Sequence, residues 1–275
     1  MPRLIRVALE AAGVHDPQRA SSGVDVVGDI AIVRLAEFRP KEKQKVAGAL
    51  LAEMKNVAVV MEQEGGIEGE FRLRRLRHLA GEKRTATVHR ENGCSYKVDV
   101  ARCYFSPRLA TERLRVAREV GAGERVLNMF AGVGPFSIPI AKLAGAEVVS
   151  CELNGYAAKL HAENDRINKV EGLVEVVAGD ANSLPSKSKR KFDRILMPLP
   201  ESANLFLPTA LRLAKRGGVI HYYRHVLGED EEEAAAALRE ELGALLPTSA
   251  RHQIRRVRDV GPRWIEMAAD ISLAR

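Results

Sequence analysis

The chain has 275 residues, 46% of them hydrophobic and 29% charged, with a net charge of +7 and a pI of about 9.4. Such a composition excludes a disordered or fibrous chain and allows one large or two smaller domains with a real core. No apolar run approaches membrane-spanning length and the N-terminus carries no signal-peptide pattern, so the expectation is a cytoplasmic protein with no membrane partner. The basic excess points to an anionic partner such as nucleic acid. The three cysteines, at 94, 103 and 151, are too scattered for a metal signature or a disulfide set; no metal is expected, and Cys103 and Cys151 read as core residues.

Residues 1–22 read as a short helix through Leu4, Val7, Ala8 and Ala11, then a turn at His15-Asp16-Pro17. Together residues 1–23 form an arm or helix added to the module that begins at Val24. Two short strands are expected within residues 24–35 around Gly28-Asp29, because a Gly-Asp pair between β-branched runs favours a tight turn. The spacing of Val46, Leu50, Leu51 and Met54 predicts a helix over 41–54, and 57–61 reads as another strand. A basic stretch runs from Arg72 to Arg77 and on through Lys83, Arg84, His89 and Arg90. Such a run either faces phosphates or is a solvated surface. Strands are expected at 85–89 and 96–100, with Asn92-Gly93 as a hairpin turn. Residues 24–105 thus form a small α+β module.

From residue 106 to 275 strands and helices alternate, which implies a doubly wound, mostly parallel sheet. Strands are expected at 126–130, 147–151, 173–177, 193–198 and 218–223. Helices are expected at about 110–120, 136–144, 156–168, 202–215 and 230–243. Two last strands, 253–257 and 264–271, would close the sheet as an antiparallel hairpin, making seven strands. Lys187–Lys191 reads as a basic loop.

The centre of this second module is the run from Val126 through Phe130-Ala131-Gly132-Val133-Gly134-Pro135-Phe136. Strand, glycine turn and helix is the unit in which backbone comes close to a nucleotide-like ligand. A dinucleotide fingerprint would carry a third glycine and a free helix N-terminus for the pyrophosphate. Here Pro135 removes an N–H at that place, so an uncharged nucleoside such as S-adenosylmethionine fits better than NAD. An ordinary βα turn would share part of this pattern. Glu152, ending the second strand, suits the two ribose hydroxyls, and Asn154 follows it. Asp180 and Ala181, after the third strand, suit the adenine. An acid at one strand end is commonly a helix cap, and Glu152 alone does not separate the two nucleotides; the first turn does. After the fourth strand, Met197-Pro198-Leu199-Pro200 forms a stiff loop whose carbonyls cannot all enter a ladder; it is either a plain strand-to-helix connection or, as in nucleobase methyltransferases, a place where an extruded base can be received.

The stretches Tyr104-Phe105-Ser106-Pro107-Arg108-Leu109-Ala110-Thr111-Glu112-Arg113, Asn128 to Phe136, Met197 to Pro200, Leu79-Ala80-Gly81-Glu82 and Gly217 to Tyr223 resemble the archaeal and eukaryotic tRNA guanine-37 N1-methyltransferases. The likeness runs in order over roughly residues 24–273. It implies a class I S-adenosylmethionine fold behind a small RNA-contacting module, acting as a monomer on the anticodon arm of tRNA. Glu112 then corresponds to the base that removes the N1 proton, and Arg72 to the arginine that steadies guanine O6, with Arg74 and Arg75 close by. Pro200 carries over from the fourth-strand loop. The cofactor residues implied are Tyr104, Phe105, Arg108, Phe130, Ala131, Gly132, Val133, Gly134, Pro135, Phe136, Glu152, Leu153, Asn154, Asp180, Ala181, Met197 and Pro198. The chain departs from the family in carrying Pro198 where many members have asparagine, and Asn128 where an aspartate is common. The family's separate N-terminal domain has no room in residues 1–23.

The chemistry agrees with the resemblance. N1 of guanine holds its proton at neutral pH, so attack on a sulfonium methyl needs a base, and a buried carboxylate raised above its ordinary value can serve. A guanidinium at O6 would stabilise the charge developing there. In a first helical turn, Glu112 could instead be a dipole contact. Relatives in wybutosine synthesis transfer the aminocarboxypropyl arm of the same cofactor or methylate a wyosine intermediate, and both remain alternatives. A non-catalytic RNA-binding protein is a third, opposed by the complete set Gly132, Gly134, Glu152 and Asp180. A 5-methylpyrimidine mechanism would need a cysteine in the fourth-strand loop, and none is there.

Overall fold

The computed structural model describes residues 3–13, 23–184 and 190–274. The turn expected at His15-Asp16-Pro17 lies outside them, and of the basic loop only Arg190 and Lys191 lie within. The chain divides into two compact units, Met1–Ala110 and Thr111–Arg275.

In the first unit, helix α1 (Arg3–Ala11) buries Ala8 and Leu9 completely in the cluster formed by Val46, Ala47 and Leu50 of α2 (Pro40–Glu53). The N-terminal helix thus contributes to this core. Pro40 opens α2, and the Arg39 N–H donates to Glu42 Oε2 at 2.7 Å, closing the first turn. Strands β1 (Asp25–Val27) and β2 (Ile30–Val33) pair antiparallel around Gly28, whose φ of +58° suits glycine. A Cβ on Gly28 would also stand 2.2 Å from Thr87 Oγ1. After the α2 crossover, β3 (Val59–Glu68) lies parallel to β2, and β4 (Leu73–Gly81) completes a four-stranded sheet in the order β1-β2-β3-β4. A separate hairpin of β5 (Ala86–Glu91) and β6 (Cys94–Asp99) turns at Asn92 and Gly93, both with positive φ, as its sequence predicts.

Strand β3 runs well past the expected end at 61. Its continuation, Glu62-Gln63-Glu64, lacks the apolar pattern of a strand. Buried Glu62 is nonetheless tolerated because Lys43 Nζ donates to it at 2.6 Å and Arg77 pairs with its other oxygen. These partners hold the Glu62 carboxyl below its ordinary value even though burial pushes the other way.

The second unit is the expected doubly wound sheet. Its strands are β7 (Arg125–Asn128), β8 (Glu147–Glu152), β9 (Val174–Ala178), β10 (Phe192–Met197), β11 (Ala214–Leu227), β12 (Arg251–Gly261) and β13 (Trp264–Ser272). They lie in the order β12-β13-β11-β10-β7-β8-β9, parallel from β11 to β9 and antiparallel where β13 meets β11 and β12. The helices are α3 (Ala110–Glu119), α4 (Ser137–Ala144), α5 (Gly155–Asn168), α6 (Ala203–Leu213) and α7 (Glu231–Leu245). Leu127, Ile195, Met197, Ile220 and Met267 from the strands pack with Leu207 of α6 and Leu238 of α7. Strand β11 exceeds its expected 218–223 because β13 pairs with it all the way from Val219 to Leu227. Parallel strands bring the ends of β7, β8, β9 and β10 to one carboxyl edge, and chain order reverses between β7 and β10, where α/β sheets bind ligands. No helix among the described residues is long and apolar enough to cross a membrane.

Candidate active site at the carboxyl edge of the large sheet

The glycine turn is built from within. Asn128 is fully buried; its Nδ2 donates to Ser137 Oγ at 3.1 Å and its Oδ1 accepts from the Phe130 N–H at 3.3 Å. The Ser150 hydroxyl reaches the same Ser137 Oγ at 2.8 Å, so β7, β8 and α4 meet at one buried polar point. Ala131 N–H donates to the Cys151 carbonyl and Gly134 N–H to Ala131, which folds the turn over the end of β8. Gly132 (φ +55°) and Gly134 (φ +94°) both lie at positive φ. The second glycine answers to packing: a Cβ on it would stand 2.6 Å from His161 Cδ2 and 2.8 Å from Ile138 Cδ1. The need for glycine at 134 thus comes from α5 and α4 beneath the turn.

His161 is fully buried, which holds it neutral with a pKa of about 3, and its Nε2 lies 3.4 Å from Asp165 Oδ1 one turn on. Burial pushes the Asp165 carboxyl up to about 7, with Glu171 adding repulsion. A group raised in the folded state above its unfolded value, about 3.9, contributes stability below that value that is lost as pH rises through about 7. Asp165→Asn removes this loss, so its melting temperature relative to wild type should rise between pH 5 and pH 8 in thermal scans. An unchanged difference across that window would mean that Asp165 carries no such burden.

Glu152, at the end of β8, is clamped by backbone amides: Gly132 N–H reaches Oε2 at 2.6 Å and Asn154 N–H reaches Oε1 at 2.8 Å. Burial raises its pKa against the pull of these amides. With four lone-pair sites on its two oxygens, the carboxylate keeps room for a ligand hydroxyl beside these backbone donors. Asn154 has a structural task, since its Oδ1 caps α5 by accepting from the Tyr156 and Ala157 N–H groups. Leu153 stays 40% exposed beside it. Asp180 is exposed and accepts from the Asn182 N–H at 2.9 Å, while Ala181 is buried. Phe130 meets Phe206 edge-on, with ring centroids 4.8 Å apart. In the fourth-strand loop the carbonyls are less free than two prolines suggest. Met197 accepts from Leu199 N–H, Leu199 from Ser202 N–H, and Pro200 from the His225 N–H and from Arg224 Nη1.

Glu112, in the first turn of α3, is 8% exposed and is no simple dipole contact. Its Oε1 accepts from the Tyr223 hydroxyl (2.7 Å), Arg115 Nη2 (2.7 Å) and Arg255 Nη2 (3.0 Å), and its Oε2 from Arg115 Nε (2.9 Å). Burial raises its pKa, outweighing these donors, and nearby Asp270 raises it further. The Tyr223 ring lies 6.0 Å from that of Phe136, which puts this carboxylate next to the glycine turn. Behind it, Asp270 accepts from Arg115 Nη1 (3.1 Å), Arg255 Nη1 (2.6 Å) and His221 Nδ1 (2.5 Å). Arg194 Nη1 donates to His221 Nε2 at 2.8 Å, which leaves the imidazole proton on Nδ1. Glu119, His221 and Asp270 bring ligand atoms within 4.8 Å of one another, as a cation site would. Arg115 and Arg194 already donate to these atoms, so the chemistry is that of an ion-pair network.

Sequence reasoning missed this network. The Glu112–Arg115 spacing was visible as a helical i,i+3 pair, but Arg255 and Asp270 come from the last hairpin and only strand register brings them here.

In the small unit the candidate residues separate. Arg74 is tied to Asp25 Oδ2 (3.2 Å) and to the Phe105 carbonyl (3.3 Å), Arg75 is exposed, and Arg72 is buried with its guanidinium 4.6 Å from the centre of the Tyr104 ring. Arg72 adopts φ +54°, a left-handed conformation uncommon for this residue type. Arg108 pairs with Asp25 Oδ1 at 2.7 Å, and the Phe105 ring packs on His89 and Tyr96, so both side chains serve the small unit itself. Much of the basic run is also neutralised internally: Arg77 pairs with Glu62 and Glu64, Arg84 with Asp29 and Glu82, and His89 contacts Glu91, leaving Arg75, Lys83 and Arg90 exposed.

Comparison with known proteins bears on the whole arrangement. Residues 87–240 match the TRM5/TYW2 methyltransferase domain, and residues 13–85 the TYW2 N-terminal domain. The chain is 46% identical over 199 residues to tRNA (guanine(37)-N(1))-methyltransferase Trm5b of Pyrococcus abyssi, a match that covers 72% of this chain and 58% of that protein. It is thus similar to somewhat over half the length of that relative. It is 34% identical to tRNA 4-demethylwyosine(37)-methyltransferase Taw21 of Saccharolobus solfataricus, over 94% of this chain and 96% of that one. Among solved structures, aTrm5 in complex with tRNALeu superposes with a TM-score of 0.85 at 33% identity, covering 99% of this chain and 78% of that one. By sequence and by fold, the chain belongs to the TRM5/TYW2 methyltransferase family.

Proposed function

We propose that the protein is a cytoplasmic tRNA methyltransferase that moves the methyl group of S-adenosylmethionine to N1 of guanosine 37, acting as a monomer on the anticodon arm. The observation that carries this reading is the buried, held carboxylate of Glu112 beside the glycine turn. That turn, with Glu152 and Asp180 at the two neighbouring strand ends, offers a nucleoside its ribose and adenine partners. Glu112 takes the N1 proton as the nitrogen attacks the sulfonium methyl. Arg72, the arginine the resemblance points to, stabilises the negative charge that develops on O6. Pro198 and Pro200 stiffen the loop that receives the base.

The test is transfer of radiolabelled methyl from S-adenosylmethionine to unmodified tRNA transcript, with primer extension to locate it. The expected stop falls next to the anticodon, because N1 methylation blocks the pairing edge; label elsewhere or none would overturn the reading. Asp180→Ala should weaken cofactor binding about tenfold, the worth of one lost hydrogen bond to a charged group. Calorimetry measures it, and unaltered affinity would remove Asp180 from the site.

A second reading is favoured by the near end-to-end match to Taw21: methylation of a 4-demethylwyosine intermediate at the same position. Transcript lacking that base separates the two, since only the first reading expects it to be labelled.

A further inference from the structure

Resting on the proposed transfer to N1, the geometry points to Tyr223, Arg255 and Asp270 as positioning residues that fix which oxygen of Glu112 takes the proton and how basic that oxygen is. Oε1 already accepts three hydrogen bonds, from Tyr223, Arg115 and Arg255, whereas Oε2 accepts one. A carboxylate oxygen has two lone-pair directions, so Oε1 is saturated and Oε2 is the oxygen with room for a proton. The step balances on that atom. The N1 proton passes to Oε2, the freed N1 pair closes on the methyl carbon, and the carbon–sulfur pair stays on sulfur, which leaves as a neutral thioether. The carboxylic acid then returns its proton to water.

Two guanidiniums against one carboxylate would by themselves make Glu112 a poor base. Asp270 shares both of them, through Arg115 Nη1 and Arg255 Nη1. Strand register sets this up: Asp270 stands directly across from His221, and His221 and Tyr223 project from the same face of β11. Tyr222, between them, points to the other face and donates to Glu241. His221, held by Arg194, adds a further hydrogen bond to Asp270. The groups around Glu112 are thus Arg115 and, through it, Glu119 from α3, Tyr223 and His221 from β11, Arg255 from β12 and Asp270 from β13. Their balance leaves the carboxylate usable as a base.

The experiment is the pH dependence of the single-turnover methylation rate for wild type, Glu112→Gln, Asp270→Asn and Tyr223→Phe, with cofactor affinity measured in parallel. Asp270→Asn should move the acid-side midpoint down by about one pH unit and lower the plateau several-fold. Tyr223→Phe should move the midpoint up, because a donor to the charged form is gone. Cofactor affinity should hold in both. Midpoints that stay at the wild-type value, or that move in the same direction, overturn the assignment, since a merely structural defect scales the rate equally at every pH. If Asp270→Asn does not fold, Tyr223→Phe decides alone: an upward midpoint supports the assignment and an unmoved one overturns it. An active wild type with unmoved midpoints sinks only this positioning; a wild type that leaves guanosine N1 unmethylated sinks the proposed function itself.

Discussion

Glu112→Gln should bind S-adenosylmethionine with near wild-type affinity and lose about 10²- to 10⁴-fold in methylation rate, the usual worth of a positioned general base. The substitution keeps the shape of the side chain and removes its negative charge and its capacity to take a proton. Cofactor affinity should survive because Glu152 is held by the backbone N–H groups of Gly132 and Asn154, whose donation does not depend on the charge of Glu112. Stability should fall modestly: a neutral amide no longer balances Arg115 and Arg255, but Asp270 still does. Thermal scans and calorimetry measure these two controls, and single-turnover kinetics measures the loss. The wild-type rate should climb with pH until Glu112 is ionised, with a midpoint above the ordinary glutamate value of about 4.3, because burial raises it. A Gln variant that turns over as fast as wild type would leave Glu112 a structural ion-pair member.

The two kinds of pattern along this chain differ in how far they can be read. Local patterns were legible. The spacing of Val46 and Leu50 gives α2, Asn92-Gly93 gives a hairpin, and Pro135 after two glycines separates a nucleoside turn from a dinucleotide one. What stayed hidden depends on contacts between distant segments. Tyr223 and Arg255 meet Glu112 across 111 and 143 residues, and nothing local marks either as a partner. The polar half of β3 carries no strand pattern, because its place in the sheet depends on Lys43 and Arg77 neutralising Glu62. The basic run through Arg77 and Arg84 reads as either a phosphate surface or a solvated face, yet the acids that occupy those arginines come from earlier in the chain, Glu62 in β3 and Asp29 in the turn before β2. Ionic side chains advertise charge in a sequence but not their partner, and here the partner decides between binding surface and internal brace.

Gly134→Ala should be among the most damaging single methyl groups that can be added to this chain, costing about 3 kcal/mol or more of stability by chemical denaturation. Two penalties combine. Its φ of +94° lies outside the left-handed well that Arg72 and Asn92 occupy at +54° and +51°. The new Cβ would also sit 2.6 Å from His161 Cδ2, and His161 is fully buried on α5. Gly132 is the natural control. At φ +55° its backbone sits in the ordinary left-handed well, where an alanine pays about 1–2 kcal/mol in conformation. The cofactor should register the difference, since displacing the turn at 134 withdraws the Gly132 N–H from Glu152 and with it the orientation of the ribose partner. His161→Ala opens space without changing φ, so in the Gly134→Ala background it should restore part of the loss, with a coupling of about 1–2 kcal/mol in the double-mutant cycle. Additive effects in that cycle would mean that the turn rests on its own backbone preference, and that His161 merely lies beneath it.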